Sequence, residues 1–275
     1  MIGQTNKFKI PNGNTKPLEY YAEHFNTGLS NLLEANPGID PWLPAAGYDL
    51  VIPQEIILPD TIKEGIVINN AEMRLYYYQR DKHLVTVLPV GIGMINGATP
   101  DHWTTRIERK KAAPTWTPTL HERQDYLREG TKLPLTVPAG PENPMGNYAL
   151  YIGNQYAIHG TNAKFGIGLR VSHGCVRLRN DDIKYLFDNV PMGTRVQFIN
   201  QPVKISKEND GSIWIEVHEP LSRSESDYRS NNKLPLPISI QLLEMIQRGE
   251  VDNKKVDLAM TERSGIPLRI DTNKK

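Results

Sequence analysis

The chain has 275 residues, 39% of them apolar and 23% charged, with 32 basic and 31 acidic side chains for a formal net charge of +1. That length supports a core without disulfides or metals, and the balanced charge excludes a chain-wide field drawing it to nucleic acid or an acidic membrane. A single cysteine excludes an internal disulfide, and there is no apolar run of the ~18 residues a membrane helix needs. The start MIGQTNKFKI lacks the apolar core of a signal peptide, so the expected location is the cytoplasm, or another compartment after removal of a signal.

Residues 8–59 begin with a strand pattern. Leu18, Tyr21, Ala22 and Phe25 then share one helix face, and Leu29, Leu32 and Leu33 form a second, stopped by Asn36-Pro37-Gly38. Tyr48 to Ile52 alternates as a closing strand before Pro53. This β-α-α-β order, with Asn36-Pro37, Gly47 and Ile52-Pro53, resembles a LysM module, a small peptidoglycan- or chitin-binding unit; a docking subdomain without glycan affinity is the alternative. The stretch ILPDTIKEG, residues 57–65, reads as a linker.

From Gly65 onward short strand patterns dominate: GIVINN, AEMRLYYYQ, HLVTVLPVGIG, RIERKKAAPTWTP, NYALYIG and YAIHG. Tyr76 to Tyr78 read as strand packing rather than a binding stripe. Residues 114–147 form a long insertion punctuated by proline and glycine, with a helix expected over 120–129. Such a loop is a lid or binding loop, with Trp116, Thr117 and Tyr126 bordering a cleft, or else a packed excursion. Asn180 is expected to cap a helix bearing Asp181 and Asp182 in its first turn. A turn and strand follow, then a hairpin turning at Asp210-Gly211, a helix over 238–248 and a polar, Lys-rich tail.

The chemistry concentrates in IHGTNAKFGIGLRVSHGCVRL, residues 158–178, which holds the lone Cys175, His159, His173, Ser172 and Arg177 among glycines. A cysteine nucleophile works as thiolate, and an imidazole beside it is expected to bring the thiol below its ordinary ~8.5. His173 stands two residues before Cys175, and His159 could face it across paired strands; these residues alone do not choose between them. Gly174 frees the turn's N–H groups to meet an oxyanion, a contact worth roughly 3 kcal/mol. Arg177 suits a bidentate grip on a carboxylate. The rival readings are a buried packing cysteine and an open zinc site of His159, His173 and Cys175 completed by Asp181 or Asp182, although no carboxylate base stands at a suitable spacing.

The run HGTNAKFGIGLRVSHGCVRLRNDD resembles the signature of the L,D-transpeptidases, a His-Gly followed by Ser-His-Gly-Cys, an apolar residue and Arg or Asn. The segments PVGIGMINGATP, KKAAPTWTPT and VPAGPENPMGNYALYI also resemble stretches of that family, and the LysM-like start points to its periplasmic subgroup, which includes enzymes that attach an outer-membrane lipoprotein to the wall. One departure is TPDHWTTRI, where His102 and Trp103 add bulk after the TP element.

The resemblance implies a mainly β fold, with a mixed, sandwich-like sheet and few short helices. It divides the chain into a peptidoglycan-binding module at 1–59, a catalytic domain at 60–200 and an extension at 201–275 packed on the catalytic domain, its end disordered. It implies Cys175 as nucleophile, His159 as base, oriented by the Gly160 carbonyl, and His173 as an assistant, since several relatives carry Ser there. The amides of Gly174 and Cys175 would hold the oxyanion, and Arg177, Ser172, Thr161, Asn162 and Trp116 would contact substrate, with no metal or cofactor. Expected partners are peptidoglycan tetrapeptide stems, cleaved before the terminal D-Ala in the periplasm after signal removal. The acceptor is expected to be the C-terminal Lys of an outer-membrane lipoprotein, with another stem (a 3-3 cross-link) or water as alternatives. A zinc peptidase or a non-catalytic wall-binding protein stands further off.

Overall fold

The computed structural model describes residues 1–97, 99–163, 165–230 and 232–272, so the end of the Lys-rich tail lies outside the described residues. Two compact units emerge, one from residues 1–62, 69–73 and 200–275, the other from 63–68 and 74–199.

The first unit opens with β1 (Asn6–Lys9), α1 (Leu18–His24), α2 (Leu29–Ala35) and β2 (Asp49–Ile52), in the order the periodicity predicts. β1 and β2 pair antiparallel from Asn6↔Ile52 to Lys9↔Asp49, and Ile10, Leu18, Tyr21, Ala22, Leu32, Leu50 and Ile52 form the buried face between helices and strands. The Asn36-Pro37 signal has a structural cause. Buried Asn36 donates to the carbonyls of Leu32 and Val51, both at 2.8 Å, and accepts from the Val51 N–H at 2.8 Å, tying the end of α2 to β2.

The second unit carries β3 (Gly65–Asn69, its last residue belonging to the first unit), β4 (Arg74–Gln79), β5 (Leu84–Pro89), β6 (Ile92–Gly93), β7 (Trp103–Arg106) and β8 (Arg109–Ala112). Then come α3 (Leu120–Arg128), β9 (Tyr148–Tyr151), β10 (Ala157–His159), β11 (Arg170–Ser172), β12 (Val176–Arg177), α4 (Asn180–Asn189) and β13 (Arg195–Ile199). Five strands order as β5-β4-β3-β13-β7, four as β12-β10-β9-β8, and β11 pairs with β6 alone. β3 is buried throughout and Tyr76, Tyr77 and Tyr78 are all buried, as expected for strands covered on both faces. Trp103 also serves packing, stacking on Phe198 at 5.6 Å and lying 5.5 Å from Tyr156, so the bulk after the TP element belongs to β7.

The chain then returns to the first unit with β14 (Val203–Lys207), β15 (Ile213–Val217), α5 (Glu225–Arg229), α6 (Ile240–Gln247), α7 (Asn253–Glu262) and β16 (Leu268–Arg269). The strands order as β14-β15-β16, with Ile213, Ile215, Val217, Leu242, Met245, Val256 and Ile270 in their core. The hairpin turns at Gly211, φ +83°, and α6 matches the predicted helix. The tail expected on the catalytic domain thus clusters with the N-terminal module. Its link is a buried ionic network: Lys204 Nζ lies 2.8 Å from Glu72 Oε2 and 3.1 Å from Glu216 Oε2, while His218 meets Glu216 through Nε2 and Glu34 through Nδ1, both at 2.8 Å.

Candidate active site

β10 and β12 run parallel with Ile158↔Val176 and His159↔Arg177 in register. Paired residues share a face and alternate along each strand, so Ala157, His159, Cys175 and Arg177 look one way, while Ile158, Val176 and Leu178 look the other and are fully buried. Cys175, one residue before β12, packs against the cluster of Met145, Ala149 and Ala157, on the same side as His159. β9 continues this face with Ala149 opposite His159 and Tyr151 opposite Ala157. The small alanines leave a floor bounded by Met145, Trp116, Tyr151 and the half-buried Cys175.

His159 is buried and its Nδ1 lies 2.6 Å from the Gly160 carbonyl. A carbonyl only accepts, so the proton sits on Nδ1 and Nε2 keeps its lone pair for the substrate side. Burial, then the Arg177 charge, pull the His159 pKa down to about 4 against the backbone carbonyls of Gly160 and Met145. Burial also raises the Cys175 thiol, with the Ala157 backbone and Arg177 opposing and Glu122 adding to the rise. The expectation of a thiol below its ordinary range thus meets the opposite shift: burial favours the neutral form of both the thiol and the imidazole.

The Ser172–Cys175 turn is internally tied. Ser172 Oγ donates to the Cys175 carbonyl at 2.5 Å and accepts the Gly174 N–H at 3.1 Å. Ser172 is thus buried and committed to the turn rather than turned to substrate. The Gly174 amide is likewise engaged within the turn. Gly174 is required for space instead. Its φ is +116°, and a Cβ there would meet Tyr156 Cε1 at 2.9 Å.

The turn rests on Thr99, buried and unmarked by the sequence reading except as part of the TP element. Its hydroxyl accepts the Gly93 N–H at 2.9 Å and donates to the Gly174 carbonyl at 2.8 Å.

Asn180 was expected as a helix cap. The cap residue is Arg179, and the Asn180 amide reaches away from its helix to donate to the Thr161 carbonyl at 2.9 Å and accept the Asn147 N–H at 3.3 Å. A Cβ on Gly160 would meet Asn180 Oδ1 at 2.3 Å, so this side chain seats the loop that follows His159. Thr161 is buried with its hydroxyl accepting the Ala163 N–H, whereas Asn162 is exposed.

Trp116 and Val137 exchange backbone hydrogen bonds at 2.9 and 2.8 Å, closing the base of the long insertion. Asn143, fully buried and also missed, clasps that base by donating to the Pro114 and Pro138 carbonyls at 2.8 and 3.0 Å. α3 lies within the insertion. It begins with a capping box between Thr119 and Glu122 and buries none of its residues. His173 faces α3, 3.6 Å from Glu122 and 3.7 Å from Asp125.

The zinc arrangement is not assembled: among the described residues, His159, His173 and Cys175 do not gather three ligand atoms within 4.8 Å of one another.

Residues 63–205 match the L,D-transpeptidase catalytic domain of the YkuD type, and residues 202–270 match the L,D-transpeptidase C-terminal domain. The chain is 58% identical over 272 residues to the probable L,D-transpeptidase ErfK/SrfK of Escherichia coli K12, covering 99% of this chain and 88% of that protein. It is 56% identical over 271 residues to the probable L,D-transpeptidase YbiS of the same strain, covering 98% and 89%. It is 46% identical over 275 residues to the probable L,D-transpeptidase YcfS, covering 98% and 85%. With a thiol, a tautomer-fixed imidazole and an arginine on one sheet face, and with this similarity along nearly its whole length, the chain belongs to the L,D-transpeptidase family.

Proposed function

We propose that the chain is a periplasmic cysteine L,D-transpeptidase that acts on peptidoglycan tetrapeptide stems through a thioester on Cys175. The carrying observation is the shared face of Cys175, His159 and Arg177, with the His159 proton held on Nδ1 by Gly160. Cys175 Sγ attacks the carbonyl that joins the L-centre of the third residue to D-Ala, as His159 Nε2 takes the thiol proton. Arg177 favours the thiolate, and the Cys175 amide meets the oxyanion. The C–N bond breaks, the proton passes from His159 to the departing D-Ala amine, and the stem remains as a thioester. An incoming amine then forms the new C–N bond, gives a proton through His159 to sulfur and frees the thiol. The buried Arg177 Nε has no hydrogen-bond partner among the described residues, which supports a role for this side chain toward a stem carboxylate.

The proposed acceptor is the C-terminal Lys of an outer-membrane lipoprotein, in keeping with the likeness along the whole chain. Cys175→Ala is expected to abolish D-Ala release from purified tetrapeptide muropeptide, and unchanged turnover would refute the thioester. Offered both muropeptide and a Lys-terminated peptide, the enzyme is expected to form the peptide conjugate. Exclusive 3-3 dimers or free tripeptide would instead identify a cross-linking enzyme or a carboxypeptidase.

The N-terminal module is read as the part that holds the glycan. Trp42, 82% exposed on the loop between α2 and β2, offers an aromatic face for a sugar ring. Trp42→Ala, in a Cys175→Ala background, is expected to lose sedimentation with insoluble peptidoglycan; full retention would refute this reading.

A further inference from the structure

α3 carries two carboxylates to the turn that holds the nucleophile. Glu122, Asp125 and Tyr126 occupy one helix face at i, i+3 and i+4, and all three meet His173: the carboxylates at 3.6 and 3.7 Å, the phenol ring at 6.4 Å between centroids. Glu122 spends Oε2 on the Thr119 N–H at 2.7 Å and turns Oε1 to His173, its side chain only 14% exposed. Asp125 is also paired with Arg128 at 2.9 Å and His121 at 3.3 Å.

Negative charge here opposes the first half-reaction, because Glu122 adds to the rise of the Cys175 thiol. Once the sulfur is a neutral thioester that opposition ends, while attraction for a cation remains. The second half-reaction brings such a cation, since a Lys-type amine with a pKa of ~10.4 arrives as ammonium.

We propose that Glu122 and Asp125 form the acceptor's entry, drawing the ammonium of the acyl acceptor to the α3 side of Cys175 and directing it at the thioester. This rests on the thioester reading above. The ammonium releases one proton to solvent; the free amine attacks, its C–N bond forms as C–S breaks, and its second proton reaches sulfur through His159.

The test uses the full-length enzyme with tetrapeptide donor and two acceptors, a Lys-terminated peptide and hydroxylamine, which is largely uncharged at neutral pH. Glu122→Gln keeps a residue type the capping box accepts and removes only the charge; it is combined with Asp125→Asn. The ratio of transferred to hydrolysed product should fall roughly tenfold for the Lys acceptor at subsaturating concentration, through KM, the size of one charge-assisted contact. The ratio for hydroxylamine should hold. Equal loss with both acceptors, which marks a damaged α3, or no change with either would overturn the proposal. A wild-type enzyme that releases no D-Ala would overturn the thioester reading itself, and the acceptor entry with it.

Discussion

Thr99 Oγ1 stands between two backbone groups, accepting the Gly93 N–H at 2.9 Å and donating to the Gly174 carbonyl at 2.8 Å, so one hydroxyl buttresses the turn that carries Cys175. Thr99→Val keeps the shape and leaves both groups unpaired in a buried setting, at about 1–3 kcal/mol each. A turn displaced by a fraction of an ångström misaims the thiol, and kcat for D-Ala release should fall by roughly ten- to a hundredfold. Thr99→Ser should recover most of it. Steady-state kinetics of the two variants check this, and equal rates for Val and wild type would remove Thr99 from the machinery.

The pH behaviour follows from two opposed shifts. His159 is held down to about 4, by burial first and Arg177 second, and the Cys175 thiol is held up by burial. Alkylation of Cys175 by iodoacetamide should therefore show an apparent pKa above the ordinary ~8.5, with no preformed thiolate near neutrality. The acid limb of kcat/KM should lie near 4 rather than at ~6.5, because the base is lost only when His159 takes a second proton. The linked stability has the same sign. The unfolded chain protonates this histidine more readily, so stability falls as pH drops from ~6.5 to about 4, by about 3 kcal/mol in all. A thiol that alkylates with a pKa well below 8.5 would contradict the neutral pair.

Much of the site was legible because it is local. His159, Cys175 and Arg177 stand within one short stretch, and the alternation I-H against V-R fixes which side chains share a face once the strands pair. The helix of the long insertion was equally legible, expected over 120–129 and found at Leu120–Arg128. Thr99, Asn143 and Asn180 were not, because each acts on backbone groups far along the chain: Thr99 on a residue 75 positions away, Asn143 on one 29 away, Asn180 on residues 33 and 19 away. An asparagine before two aspartates looks like a helix cap, and only the folded loop shows that its amide serves Thr161. The charge state of the thiol was illegible for a related reason, since burial is a property of the packed floor, not of the motif. Among the C-terminal elements, β16 is two residues long and exists through its pairing with β15, so no periodicity announces it.

Asn180 and Gly160 give a paired test of the loop behind the base. Asn180→Ala removes the donor to Thr161 and the acceptor for Asn147, and should lower kcat about tenfold by loosening the carbonyl that orients His159. Gly160→Ala alone should be far worse, because the new Cβ would sit 2.3 Å from Asn180 Oδ1. In the double variant the smaller residue at 180 relieves that clash, so its activity should exceed that of Gly160→Ala. Turnover of the three proteins checks the coupling, and strict additivity would show that the two residues do not communicate.

The buried network of the first unit makes a separate prediction, with the opposite pH sign to His159. Burial alone would lower His218, but Glu34 and Glu216 outweigh it and raise its pKa to about 9, so it is a cation between two acids. Its contribution to stability is present in full below the unfolded value of ~6.5 and is lost as pH rises through about 9. Thermal unfolding should therefore show a falling midpoint between pH ~6.5 and 9, and His218→Asn should flatten that slope while lowering stability at neutral pH. Lys204 carries the other half of the balance, lying against Glu72 and Glu216 with its side chain 2% exposed. Lys204→Met strands two buried carboxylates and should cost about 3–5 kcal/mol, since removing one partner of a buried pair is far worse than removing both. Adding Glu72→Gln should return part of the loss. Denaturant unfolding of the three proteins decides the matter: a Lys204→Met variant as stable as wild type, or one made worse by the added Glu72→Gln, would show that the network does not hold the first unit together.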